Sequence, residues 1–290
     1  MTKACPGRLK SIYRQLLLGA MAFAVSCAAF AQDDGLHFAP RGLLFRPLAA
    51  NTLEPRMGVQ SHLNDGRLRL DIGNSADVLA WTLAGNMMTA GTDFFTWTSL
   101  RREKNFHFPV EAVDYLFGVN VNYAAPLSPD DLLSTRLRIS HISAHLVDGS
   151  YEKPEMEWRE QLLPRVYSRE FFDLVVSVER RHSVRLYAGM QYIYHVDPVT
   201  LGKWAFQCGT EFAFPSDSQE WCTPYVAYDF KLANIYAFAP SHTLQAGLIL
   251  GHRDATGVNI FFSWFSGNNQ HGEYFDRRWE YWGPGFSVNF

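Results

Sequence analysis

Hydrophobic and polar residues alternate along most of the chain, in runs of about ten residues that end at turn-forming residues. In the run over 203–214, Trp204 and Phe206 fall on one face, whereas Gln207 and Glu211 fall on the other. Such runs, repeated and separated by turns, are typical of transmembrane β-barrels, whose strands face lipid on one side and the lumen on the other. Helical periodicity is nearly absent.

The pattern predicts an all-β fold: a single transmembrane antiparallel β-barrel of about twelve strands, with ten or fourteen also compatible with it. Short and long links alternate, which predicts short periplasmic turns and longer outer loops. The last strand ends on the aromatic Phe290, as expected of a barrel that the β-barrel assembly machinery inserts. The predicted strands cover residues 66–73, 77–85, 88–100, 111–124, 131–146, 168–180, 184–196, 202–214, 221–233, 241–252, 256–267 and 278–290.

Residues 1–31 are predicted to form a cleaved signal peptide. Basic residues precede the apolar stretch Leu16–Val25, and Ala29-Phe30-Ala31 supplies the small residues of a cleavage site. A lipoprotein signal that ends at Cys27 fits less well, because Leu is missing from its expected place before this cysteine. Export combined with a barrel predicts the bacterial outer membrane as the location.

Residues 32–56 contain prolines and lack periodicity, which predicts a periplasmic leader that tucks into the barrel mouth, before a barrel over 57–290. Charged side chains on the inward faces should pair across the lumen and fill it. This disfavours a wide pore but does not exclude a narrow channel. The residues concerned are Arg136, Arg138, Asp173, Glu179, Arg185, Lys203, Glu211, Asp229 and Lys231.

Composition agrees with this organisation. Aromatic residues make up 15% of the chain, and charged residues only 19%, against about 25% in average soluble proteins. Aromatic girdles at the membrane interfaces account for the high aromatic content. The net charge of −3 gives no reason to expect a nucleic-acid partner.

One predicted strand carries polar residues on the face that should meet lipid. Within 132–148 the first odd positions are apolar, but His141, Ser143 and His145 follow on the same face near the outer end. Polar groups that face hydrocarbon are costly, so this placement needs a reason. The next strand places Glu170 at the same height and on the same face.

A serine nucleophile, a histidine base and an acid that orients the histidine are the parts of a hydrolytic triad. Ser143, His141 and Glu170 are therefore a candidate catalytic site, with His145 as the alternative base. The layout resembles that of outer-membrane phospholipase A and of lipid A deacylase barrels. However, His-x-Ser is a weak motif, and the spacing alone favours polar residues that bind lipopolysaccharide headgroups or water.

The acidic loop over 147–167 offers Asp148 and Glu152 as candidate Ca²⁺ ligands beside lipopolysaccharide phosphates. A solvated loop is the simpler interpretation, because the spacing does not match an EF-hand. Outer-membrane lipids and lipopolysaccharide are the expected partners, and Ca²⁺ is the one candidate cofactor. The sequence contains no zinc-type Cys/His cluster and no nucleotide-binding motif.

Several stretches together resemble the domain of unknown function 1207 family of bacterial envelope proteins. The family's His-x-Ser-x-His element corresponds to His141, Ser143 and His145, whereas Val147-Asp148-Gly149 departs from its Gly-Asp-Glu. The resemblance implies an envelope barrel and no particular activity. The matching stretches are Phe45–Met57, Ser140–Asp148, Ser168–Glu170, Tyr187–Tyr192 and Trp279–Gly283.

Two classes of function follow from the sequence. The favoured class is a non-porin barrel with a filled or narrow lumen and a structural, surface or narrow-channel role. The alternative is an outer-leaflet lipid hydrolase, of the phospholipase A or lipid A deacylase type, that uses the outward-facing Ser/His/Glu site.

Overall fold

Twelve antiparallel strands surround the lumen of a closed barrel, and the last strand pairs with the first. A computed structural model describes residues 35–152, 154–214, 221–251 and 257–289; the predicted signal peptide and Phe290 lie outside these ranges. The barrel strands are β1 (Met57–Ser61), β2 (Arg67–Leu83), β3 (Asn86–Arg101), β4 (Val110–Pro126), β5 (Asp131–Leu146), β6 (Tyr167–Arg180), β7 (Val184–Asp197), β8 (Trp204–Ala213), β9 (Cys222–Asn234), β10 (Phe238–Gly251), β11 (Gly257–Asn268) and β12 (Arg278–Asn289).

The predicted all-β barrel of twelve strands is confirmed, but the first two strands differ from the prediction. The predicted strands over 66–73 and 77–85 form the single strand β2, and β1 was not predicted. Gly73 belongs to a residue type that favours turns, yet here it lies inside β2. A Cβ at Gly73 would lie 2.3 Å from the carbonyl oxygen of Phe94, so glycine is needed for the close approach of β2 and β3.

Side chains along each strand point alternately to an apolar outer surface and to a polar lumen. On β6, Phe172, Leu174 and Val176 are exposed on the outside, whereas Asp173 and Ser177 are buried inside. This distribution is the one that a wall in contact with lipid requires. In the part of the chain that the structure describes, no helix is long and apolar enough to cross a bilayer.

The connections at the two ends of the barrel differ in length, as the sequence predicts. One end, termed the short-turn end, carries tight links, and the other, termed the long-loop end, carries most of the extended links. Described links at the short-turn end are 84–85, 127–130 and 181–183, and those at the long-loop end are 62–66, 102–109, 147–166, 198–203, 235–237 and 269–277.

Residues 39–56, termed the leader segment, lie inside the barrel and contact its wall on several sides. The backbone N–H of Leu44 donates to Asp77 on β2 at 2.8 Å, and that of Ala49 donates to Glu211 on β8 at 2.7 Å. These strands lie on different sides of the barrel, so the leader segment occupies the lumen between them. Further contacts join Arg46 to Glu179, the Arg46 carbonyl to Arg185, and Asn51 to Lys231.

The strongest contacts of the leader segment are made by Glu54. Arg136 Nη1 donates to Glu54 at 2.8 Å, and Arg138, whose Nε binds Asp93 at 2.9 Å, approaches Glu54 at 3.4 Å. All four side chains are buried. The charges on the wall therefore pair largely with the leader segment, not only with each other. Lys203 is a correction to the predicted set, because it lies before β8 and is exposed.

Residues 269–277, termed the cap loop, fold into the long-loop end of the lumen. His271 Nδ1 lies 2.7 Å from one carboxylate oxygen of Asp114, and the backbone N–H of Gly272 donates to the other oxygen at 2.7 Å. The backbone N–H groups of Leu146 and Arg165 donate to buried Glu273. The lumen is thus filled from both ends.

We expect Glu54→Gln to lower the free energy of unfolding by about 3–5 kcal/mol, because it removes one partner of a buried ionic network and leaves Arg136 without a carboxylate partner. Urea unfolding in lipid vesicles, followed by tryptophan fluorescence, measures this loss. Asp130→Asn is the matched control, because the Asp130–Arg181 pair is exposed and its loss should change stability little. Equal stability of Glu54→Gln and the unchanged protein would contradict the proposed anchoring.

Candidate functional site

Strand β5 directs His141, Ser143 and His145 to the outside of the barrel. The residues between them, Ile142 and Ala144, are 1% and 4% exposed and face the lumen. The alternation that starts with the apolar residues of β5 therefore continues without interruption to the long-loop end. The three polar side chains lie on the outward face because of this period alone.

Glu170 on the neighbouring strand β6 is directly opposite His141 in the strand register. Glu170 Oε1 lies 2.6 Å from His141 Nδ1. A carboxylate accepts a hydrogen bond, so Nδ1 is the protonated nitrogen of the neutral ring and Nε2 is the nitrogen free to act as a base. The structure thus brings together the predicted base and its orienting acid.

His195 on β7 is a member of this cluster that the sequence pattern did not identify. Glu170 Oε2 lies 2.5 Å from His195 Nδ1, so two imidazoles from flanking strands hold one carboxylate. Strict alternation along β7 would direct His195 into the lumen. A bulge between Ile193 and His195 changes the register, so that Tyr194 and His195 both face outward. Nothing in the alternation marks this bulge.

Ser143 lies on the same outward face but is not joined to His141. Within the described ranges, the side chain of Ser143 forms no hydrogen bond, and Ser143 is opposite Ser168 on β6. Residues two apart on a strand have Cα atoms about 6.5 Å from each other. Catalytic hydrogen bonds often form only when substrate binds. The resting arrangement is therefore a His–Glu pair with a serine beside it.

His145, the predicted alternative base, lies farther along β5 and has a different neighbour. Its ring packs edge-on against Tyr115, with centroids 5.8 Å apart. Its register position is beyond Tyr167, the first residue of β6, so Glu170 is not its cross-strand partner. His141 is the better placed of the two candidate bases.

The two candidate Ca²⁺ ligands have ordinary loop environments. Asp148 is exposed in a short 3₁₀ turn, and Glu152 forms an ion pair with Arg159. Among the residues that the structure places, no three His, Cys, Asp or Glu side chains are arranged to hold a metal ion. The outward-facing cluster is therefore the better candidate for a functional site.

Apolar side chains surround this cluster. Phe117 on β4 is opposite His141, and it is half exposed on the outside. Phe172 and Tyr194 pack together below Glu170, with ring centroids 5.1 Å apart. A serine, a base and an acid set in an apolar surface have the parts needed to attack an ester whose acyl chain lies along the wall.

Comparisons with known proteins identify a family and a fold. The model of the family described as "Protein of unknown function (DUF1207)" matches residues 114–290. Outer membrane phospholipase A from Escherichia coli has a similar structure, with a TM-score of 0.53 and 11% identity over 82% of this chain and 92% of that chain. The β domain of the Bordetella autotransporter BrkA gives a TM-score of 0.42 and 12% identity, over 81% and 97%. No curated protein matches in sequence.

Proposed function

Because the chain belongs to the DUF1207 family, whose description assigns no activity, we propose a function from the outward-facing site: hydrolysis of acyl esters in outer-leaflet lipids. The observation that carries this proposal is the 2.6 Å contact between His141 Nδ1 and Glu170 on the outer wall of an outer-membrane-type barrel.

The position of the cluster supports a lipid substrate. A carboxylate beside hydrocarbon is costly unless it is paired, and Glu170 is paired through both of its oxygens. The cluster lies close to the long-loop ends of β5 and β6, where an ester bond of a lipid would meet the wall at the membrane interface. Outer membrane phospholipase A, which shares the fold at 11% identity, is by its name an enzyme of this class.

The proposed reaction follows the usual course of a serine hydrolase. His141 Nε2 accepts the proton of the Ser143 hydroxyl as Oγ attacks the acyl carbonyl carbon, and Glu170 stabilises the imidazolium that forms. The tetrahedral intermediate then expels the alcohol, which takes the proton from His141. Water, activated by the same nitrogen, hydrolyses the acyl-serine and releases a fatty acid. His195 holds the second oxygen of Glu170 and so fixes the direction of the carboxylate.

We expect the refolded protein to release fatty acid from phospholipid or lipopolysaccharide vesicles, and Ser143→Ala to lower the rate about 10³-fold or more. Glu170→Gln should lower the rate about 10²-fold, because the imidazole loses its charged partner. The measurement is free fatty acid release with and without added Ca²⁺. Ser168→Ala, which removes the serine opposite Ser143, is the control and should retain activity.

Equal release by the unchanged protein and Ser143→Ala would show that this serine is not the nucleophile. If neither lipid is hydrolysed under any of these conditions, the hydrolase proposal fails. The polar cluster would then be assigned to binding of lipid headgroups.

A second observation, the leader segment in the lumen, supports a barrel that does not act as a porin. Glu54 and Asn51 contact different parts of the wall, through Arg136 on β5 and Lys231 on β9. A wide aqueous path would require these buried polar contacts to break together. This property is compatible with hydrolysis, because the proposed reaction takes place on the outside of the wall.

The full chain should give no stable conductance steps in planar lipid bilayers. The double variant Arg46→Ala/Glu54→Gln should give intermittent steps, because the leader segment loses two of its ionic anchors. Single-channel recording at fixed voltage measures the conductance of the unchanged protein and of the double variant, and Asp130→Asn serves as the control. Steady, ohmic conductance by the unchanged protein would contradict a closed lumen.

A further inference from the structure

A cavity of about 120 Å³ remains in the lumen between the leader segment and the cap loop. Its floor is formed by Asn51, Thr52 and Leu53, and its roof by residues of the cap loop. The cavity lies in the lumen, whereas the proposed hydrolytic site lies on the outer surface of the barrel. An inference about this cavity is therefore independent of the proposed lipid chemistry.

Aromatic side chains form much of the wall of this cavity. Tyr167 and Phe275 stack with ring centroids 5.6 Å apart. The indole N–H of Trp97 donates to the backbone of Gln270 at 3.0 Å, so its polar atom is already satisfied. An apolar cavity of about 150 Å³ in another protein holds benzene. The volume and the lining thus suit one aromatic ring.

A cation without an acidic partner among the described residues projects into the same space. Arg169 on β6 lies over the rings of Tyr167 and Phe171, at 5.9 and 5.5 Å from their centroids. Its Nε is buried and has no hydrogen-bond partner among the described residues. Buried polar groups are normally satisfied, so this guanidinium is available to bind an anion.

The other charged groups around the cavity are already compensated. Arg138 is bound to Asp93 and approaches Glu54, and Asp114 is bound by the cap loop. Asp173 interacts electrostatically with Arg138 and with Lys231. This arrangement accepts one negative charge at Arg169. It disfavours a second negative charge, because the Asp173 carboxylate lies on the same strand face.

The cap loop closes the cavity at the long-loop end. Its outer attachment is the ion pair between Arg165 and Asp276, at 2.7 Å and partly exposed to solvent. The arginine holds the pKa of Asp276 below its usual range through this hydrogen bond.

We propose that this cavity binds a small aromatic monocarboxylate. The ring lies among Trp97, Phe171 and Phe275, and the carboxylate accepts hydrogen bonds from Arg169. A ring with two carboxylates is disfavoured by Asp173, and an uncharged ring leaves the guanidinium unpaired.

Isothermal titration of the full refolded chain in a nonionic detergent, with benzoate as the probe, tests the proposal. We expect saturable binding with a stoichiometry of one, which Arg169→Gln weakens about ten- to hundredfold, the value of a charge-assisted hydrogen bond. Arg180→Gln is the matched control, because Arg180 is an exposed arginine at the other end of β6 and should leave binding unchanged.

Comparison of ligands on the unchanged protein avoids any dependence on the folding of a variant. Benzamide and phthalate should both bind at least about tenfold more weakly than benzoate, because one lacks the charge and the other carries two. Absence of saturable benzoate binding would overturn the proposal. So would equal affinity for benzoate and benzamide, or equal affinity of Arg169→Gln and the unchanged protein.

Discussion

Hydrocarbon offers no hydrogen-bond partner, and most features of this molecule follow from that constraint. The strands must pair on both edges, which closes the wall into a barrel. The outward side chains must be apolar, so the polar residues of each strand collect in the lumen. A lumen lined with arginine and carboxylate side chains must then be neutralised. The leader segment does so through Glu54, which binds arginines of β5.

The same constraint makes the polar cluster on the outer wall, an exception to its apolar surface, informative. His141, Glu170 and His195 lie side by side on three adjacent strands, whereas the next outward positions on β6, from Phe172 to Val178, all present apolar side chains. The carboxylate is paired on both sides, which lowers the cost of its position. A cluster of this kind costs stability without improving the wall, which is why a chemical role is proposed for it. The fold relative shows only that a barrel of this type can be superposed on the chain, so the proposed hydrolysis rests on the cluster itself.

The alternation of side chains was sufficient to predict the barrel and the face and height of Glu170. The predicted number of about twelve strands is also right, but only because the division of β2 into two predicted strands offsets the missing β1. The alternation was not sufficient for β1, because five residues give too short an alternating run to be distinguished from the leader segment before them. It also failed for His195, since a bulge shifts the register without changing the composition of the strand. The partners of Glu54 could not be predicted either. A segment without periodicity contains no information about its path through a lumen, so those contacts required the three-dimensional arrangement.

The shortness of β1 has a consequence for how the barrel is completed. β1 joins β12 through Met57–Gln60 and β2 through Gly58–Ser61, whereas β10, β11 and β12 pair along most of their lengths. The leader segment continues directly into this strand without a linker. The final seam and the material that fills the interior are therefore one continuous piece of chain. The strand that closes the wall therefore cannot take its place unless the leader segment directly before it lies at the lumen as well.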